Sequence, residues 1–198
     1  MSFEKRFLSD TELRIEQADG QPPKIVGYAA LYNSVSKSMR TGTGKQFREM
    51  ISPGAFDSSL NNDVLARYNH DLILGRSSAG TLKLSIDSKG LRYEITPTDS
   101  AAADHVVKSI KRGDVKGSSF AFRTIQDGWK MVDGQPMREL RAVDLIDVGP
   151  VDIPAYAGTE NPDNSVAIRA EGIDETIADA RIAEIESDPR QFKRAQLI

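Results

Sequence analysis

The sequence predicts an α+β fold, rich in strands and carrying at least one helix. Three observations lead to that class. Leu82, Leu84 and Ile86 alternate with polar residues, Asp87-Ser88-Lys89-Gly90 supplies turn chemistry, and Leu91, Tyr93 and Ile95 resume the alternation, which is the pattern of a hairpin. Ala103, Val106, Val107 and Ile110 recur at i, i+3, i+4 and i+7 and stop at Gly113, the stripe of an amphipathic helix. Residues 117–148 hold apolar and β-branched runs punctuated by Asp-Gly pairs, which reads as further antiparallel strands.

Taken in order, residues 25–32 (IVGYAALY) form an apolar run after the punctuation Gly20-Gln21-Pro22-Pro23 and are expected as a strand. Residues 34–46 are Ser, Thr, Gly and Lys with little periodicity, so a mobile loop is expected, then a short strand and a turn at Ser52-Pro53-Gly54. Residues 63–69 (DVLARYN) make a strand that delivers His70 at its end, where a loop exposes an imidazole to a cleft. The helix over residues 100–112 is capped by Asp99 or Ser100, and Lys108, Lys111 and Arg112 suit the negative end of its dipole. Residues 117–125, 129–132 and 137–148 are expected to run as a β-meander, turned at Asp127-Gly128 and Asp133-Gly134. Past residue 158 the chain becomes polar and then Ala-, Ile- and Glu-rich. The division is therefore a folded domain over 1–158 and a tail over 159–198, partly helical or disordered.

Composition narrows the chemistry. The 26 Lys and Arg against 29 Asp and Glu give a net charge of −3, so no broad basic face for nucleic acid is implied. With no cysteine there is no disulfide framework, thiol nucleophile or Cys-based metal site, and two histidines leave little for a His-based one, so no cofactor or metal is expected. No stretch approaches the roughly 20 apolar residues of a membrane span, and no secretory leader is visible, so the expectation is a soluble intracellular protein.

What remains is a serine or threonine activated by an imidazole, or a carboxylate pair. At 3.6 residues per turn His105 falls on the flank of the helical stripe and reads as solvated. His70, at a strand end among polar neighbours, sits where a general base is needed, although a structural histidine fits equally well. In Gly117-Ser118-Ser119-Phe120-Ala121-Phe122 a period of two puts Ser118 with the two phenylalanines and Ser119 with Ala121 on the other face, open to an extended substrate. The plainer use of such a string is to cap or turn the backbone. In residues 143–148 the same periodicity places Asp147 on the face of Val143 and Leu145, where a carboxylate needs a partner: an imidazolium, or an arginine such as Arg123, Arg138 or Arg141.

Together these segments resemble the prohead (capsid maturation) proteases of tailed bacteriophages, serine peptidases related in fold to the herpesvirus assemblins. The resemblance is carried by Gly27-Tyr28-Ala29-Ala30, Ile51-Ser52-Pro53-Gly54-Ala55-Phe56, Asn69-His70-Asp71, Gly75-Arg76, Gly80-Thr81-Leu82-Lys83-Leu84 and Gly90-Leu91. It continues through Arg112-Gly113-Asp114-Val115-Lys116-Gly117-Ser118-Ser119-Phe120-Ala121-Phe122 and Val151-Asp152-Ile153-Pro154-Ala155-Tyr156. It implies a distorted, mostly antiparallel β-barrel with flanking helices, herpesvirus-protease-like. By it His70 matches the catalytic histidine and Ser119 the nucleophile, with Ser118 standing for the family's usual Met and Ala121 for its Gly. Asp147, in Leu145-Ile146-Asp147-Val148-Gly149, falls where the family commonly has the acid of a Leu-x-Glu-Val-Ser string. His105 precedes Ser119 and so fails the assemblin order His, Ser, His.

The resemblance further implies a serine endopeptidase that cleaves the scaffolding segment of the major capsid protein, and itself, inside the assembling procapsid in the host cytoplasm. Its partners would be the major capsid protein and scaffold, with self-association as a further candidate, and neither nucleic acid nor membrane. A different class of reading is a non-catalytic head-assembly or scaffold-binding domain of the same fold. An unrelated serine esterase is disfavoured because no Gly-x-Ser-x-Gly elbow occurs.

Overall fold

Period-two patterning dominates the computed structural model, which describes residues 3–9, 11–41, 43–152 and 168–188. Strands β1 (Glu4–Leu8), β2 (Arg14–Glu16), β3 (Lys24–Leu31), β4 (Met39–Arg40), β5 (Gln46–Ile51), β6 (Leu65–Tyr68), β7 (Leu72–Arg76), β8 (Leu82–Ile86) and β9 (Gly90–Ile95) precede helix α1 (Ala101–Arg112). Strands β10 (Gly117–Val132), β11 (Gln135–Val151) and β12 (Ile168–Glu171) and helix α2 (Glu175–Ser187) follow.

The strands form two sheets. One has eight strands in the order β12-β1-β10-β11-β5-β4, with β6 pairing β11 and β7 pairing β6; the other has the order β2-β3-β9-β8. Strand β3 packs on β10 and β11, so Ile25, Leu91, Tyr93 and Ile95 of the smaller sheet meet Phe120, Phe122, Leu140 and Val148 of the larger in one core. Helix α1 adds Ala103, Val106, Val107 and Ile110 to that core, the stripe anticipated from the sequence. Its ends follow local chemistry: the Ser100 hydroxyl accepts the Ala103 N–H at 3.2 Å, and Gly113, at φ 86°, closes it in the left-handed conformation that glycine adopts without strain. Among the described residues no helix is long and apolar enough to cross a membrane.

The α+β class and the β8–β9 hairpin are as expected; the barrel is not. Closure needs the outermost strands to pair, whereas β12, β4 and β7 of the larger sheet and β2 and β8 of the smaller each have one partner among the described residues, so neither sheet closes. Residues 117–151 are a single long hairpin rather than a meander. The backbone reverses at Asp133-Gly134 only, because register shifts near Thr124, Gln126 and Asp127 bend the strand at Asp127-Gly128 without turning it back. The expected loop over residues 34–46 contains β4, paired with β5, and is tied to α2: the Thr41 and Thr43 hydroxyls donate to the Asp179 carboxylate at 2.9 and 2.6 Å. The domain boundary placed near residue 158 lies outside the described residues.

Strand β1, which no sequence pattern announced, is an interior strand of the larger sheet, paired with β12 on one side and β10 on the other. The reason it escaped is charge: Arg6 is fully buried. Its guanidinium donates to Glu49 at 2.6 and 2.7 Å and to Glu4 at 2.7 Å, while Arg138 binds Glu4, Glu49 and Asp127. This paired cluster, over the Phe122 ring, replaces the apolar residues that a central strand ordinarily carries.

Candidate active site

Strand β10 presents two faces, and the two serines divide between them. Ser118 lies on the core face, where its hydroxyl is 2.6 Å from Thr11 Oγ1 and 2.8 Å from the Tyr93 hydroxyl, so its hydrogen-bonding capacity is spent within the core. Burial pushes the Tyr93 hydroxyl far above its usual range, although the Ser118 bond opposes this, and it stays neutral. Ser119 lies on the opposite face, in a row with Phe7 of β1 on one side and Gly149 of β11 on the other.

Asp147 reaches this same face by way of a bulge. Phe122 pairs with Leu145 but Ala121 pairs with Asp147, leaving Ile146 as the extra residue on β11. Paired residues point to the same side, so Leu145 joins the core with Phe122 and Asp147 joins Ala121 and Ser119 opposite. The uninterrupted alternation expected from the sequence, which put Asp147 with Val143 and Leu145, is thus corrected by one inserted residue.

His70 arrives from a third direction. It sits in the turn between β6 and β7, where Asn69 and His70 both have left-handed backbone, at φ 55° and 59°, and the Asp71 N–H closes the turn on the Tyr68 carbonyl. Such a conformation is tolerated by asparagine and costs a histidine on the order of 1 kcal/mol or more. Asn69 anchors the turn to the end of β11: its N–H donates to the Pro150 carbonyl at 3.1 Å and its side-chain oxygen accepts the Asp152 N–H at 3.1 Å. Strand β6 also runs parallel to β11 at Asp147 and Val148, and Gly149 makes room for it, since a Cβ there would lie 1.9 Å from the Arg67 carbonyl oxygen.

The result is a direct His70 to Asp147 contact, Nδ1 to Oδ1 at 2.7 Å, with both side chains more than nine-tenths buried. On its other side the imidazole meets the Phe7 ring edge to face, centroids 5.3 Å apart. The ring therefore touches strands on both sides of β10, bridging it near Ser119 and Ala121. Its Nε2 is buried and has no hydrogen-bond partner, and Ser119 Oγ makes one long contact, 3.5 Å to the Gly149 carbonyl. His70 and Asp147 are joined; Ser119 shares their face without a hydrogen bond to the imidazole.

The arginines weighed as partners for Asp147 go elsewhere: Arg123 to Asp144, Arg138 to Glu4, Glu49 and Asp127, and Arg141 to Glu139. His105 is exposed on α1, as its helical position implied. Two residues at the site were missed by sequence reasoning: Phe7, on a strand with no legible pattern, and Arg67, two residues inside β6. Among the described residues no group of three acidic or histidine side chains could hold a metal ion.

A serine on a rigid strand, an imidazole with one free buried nitrogen, and a carboxylate on the other nitrogen are the parts from which serine hydrolases are built. The family model described as caudovirus prohead serine protease matches residues 9–176, and the chain belongs to that family. No curated protein and no solved structure matches it, and the expected herpesvirus-protease-like fold is not borne out by any comparison.

Proposed function

We propose that this chain is a serine endopeptidase of procapsid maturation in which Ser119 is the nucleophile, His70 the general base and Asp147 the residue that orients the imidazole. The observation that carries the reading is the His70 to Asp147 hydrogen bond on the face of β10 that also bears Ser119. A carboxylate accepting the Nδ1 proton leaves Nε2 with its lone pair, the form able to take a proton from a hydroxyl. As Ser119 Oγ bonds to the scissile carbonyl carbon, its proton passes to Nε2, and Asp147 stabilises the imidazolium that results. The proton is then delivered to the leaving amine. Water, deprotonated by the same imidazole, next attacks the acyl-enzyme ester, releasing the new carboxyl terminus and restoring Ser119.

Ser119 has no exposed surface, so the face above it must open before an extended peptide reaches the hydroxyl. The substrates that family membership favours are the scaffolding segment of the major capsid protein and the protease itself, acting within the assembling procapsid in the host cell. Co-expression of the chain with its capsid protein tests this directly. Fragment masses that show scaffold removal with the native chain and none with Ser119→Ala support it. Intact capsid protein in both cases favours a second reading, a head-assembly domain without catalysis, for which the burial of Ser119 and its missing bond to His70 speak.

A further inference from the structure

We infer that Arg67 is a positioning residue of this site, holding His70 and Asp147 in register; the inference rests on the peptidase reading above. One guanidinium nitrogen, Nη1, faces both groups: it donates to the His70 backbone carbonyl at 3.4 Å and lies 3.9 Å from Asp147 Oδ2. The Asp147 carboxylate is thereby addressed at both oxygens, Oδ1 by the imidazole at 2.7 Å and Oδ2 by the guanidinium. A carboxylate bonded at one oxygen can still rotate about its Cβ–Cγ bond. A cation at the second oxygen opposes that rotation and fixes the direction in which the first meets Nδ1.

The same nitrogen steadies the backbone. His70 is held at φ 59°, a conformation that relaxes unless its surroundings fix it, and the Arg67 bond to its carbonyl ties that peptide to β6. Arg67 is itself well placed to act as a clamp. Its main chain lies on Gly149 where β6 meets β11, and its side chain is two-thirds withdrawn from solvent, with Nε buried and unpartnered. No acidic side chain other than Asp147 lies within ion-pair distance of it among the described residues. The imidazole ring thus meets Asp147 from β11 and the uncharged Phe7 from β1, while Arg67 from β6 holds the His70 carbonyl and the far oxygen of Asp147.

The test uses the full chain and a capsid-derived peptide, comparing Arg67→Ala and Arg67→Lys with the native protein. Titration with a fluorophosphonate counts competent sites, so a loss of folded protein is separated from a loss of rate per site. We expect Arg67→Ala to keep its titre, to lose about 10- to 100-fold in kcat with KM changed less than about 3-fold, and to recover rate with added guanidinium. The downfield proton resonance of the His70 Nδ1–H, assigned by its absence in His70→Ala, should broaden or vanish in Arg67→Ala and return in part in Arg67→Lys. An Arg67→Ala protein with native kcat and an unchanged resonance overturns the inference, as does a loss explained wholly by titre and unmoved by guanidinium. If Ser119→Ala and His70→Ala retain turnover, the underlying reading fails instead, whatever Arg67 does.

Discussion

Adjacent serines on one strand have opposite fates because a strand sends neighbouring side chains to opposite faces. Ser118 joins Thr11 and Tyr93 in the core, so Ser118→Ala should lower stability by about 1–3 kcal/mol, through a buried hydroxyl network left short of a partner, while kcat per folded site stays near native. Urea unfolding beside active-site titration separates the two effects. For Asp147→Asn the opposite profile is expected: folding retained and kcat down by roughly 1,000-fold or more, because an amide in place of the carboxylate favours the wrong imidazole tautomer. Stopped assays over the native pH range would read this, and near-native turnover would remove Asp147 from the mechanism. Residue types and resemblance singled out His70, Ser119 and Asp147, and strand parity separated Ser119 from Ser118 but set Asp147 on the wrong face. Arg67 was not legible, because an arginine within a strand carries no signal until its neighbours in space are known.

Strands place these groups, and their irregularities matter as much as their regularity. The bulge at Ile146 turns Asp147 toward Ser119; a perfectly alternating β11 would bury the carboxylate in the core with Leu145. No residue in that string marks a bulge, which is why alternation read from the sequence misplaced the acid. The left-handed turn at Asn69 and His70 and the close crossing at Gly149 are the other local devices. Gly149→Ala is expected to cost about 3 kcal/mol or more, since its Cβ collides with main chain rather than with a flexible side chain, and to displace β6 and its histidine. Thermal unfolding together with the His70 resonance would detect both; a stable variant with an undisturbed imidazole would show that β6 tolerates a shift from β11. The hairpin of β8 and β9 and helix α1 were readable because turn chemistry, periodicity and caps agree there, whereas β1 was hidden by Glu4 and Arg6 at positions facing inward.

At the scale of the whole molecule, two sheets share one core, and a paired ionic cluster ties β1, β5 and β11 together. Burial pushes the Glu4 carboxyl up, but the Arg138 hydrogen bond and the charges of Arg6 and Arg138 outweigh it and hold the group at about 2, below the ordinary 4.5. Its folded value being the lower one, Glu4 stabilises the fold fully above about pH 4.5, and the contribution is lost as pH falls toward 2. Urea midpoints are therefore expected to hold steady from neutral pH to about 5 and to drop between 4.5 and 2; a flat profile across that interval would remove the cluster as a source of acid lability. The barrel suggested by resemblance failed at this scale because closure depends on which strands end unpaired, a property of topology and not of any local string. The central claim is that three side chains remote in sequence make one peptidase site on the face of β10. Its most direct measurement is fluorophosphonate modification of the intact chain followed by peptide mass mapping: the account predicts a single adduct on Ser119 that is absent in His70→Ala, and an adduct on Ser118, or equal labelling without the imidazole, would contradict it.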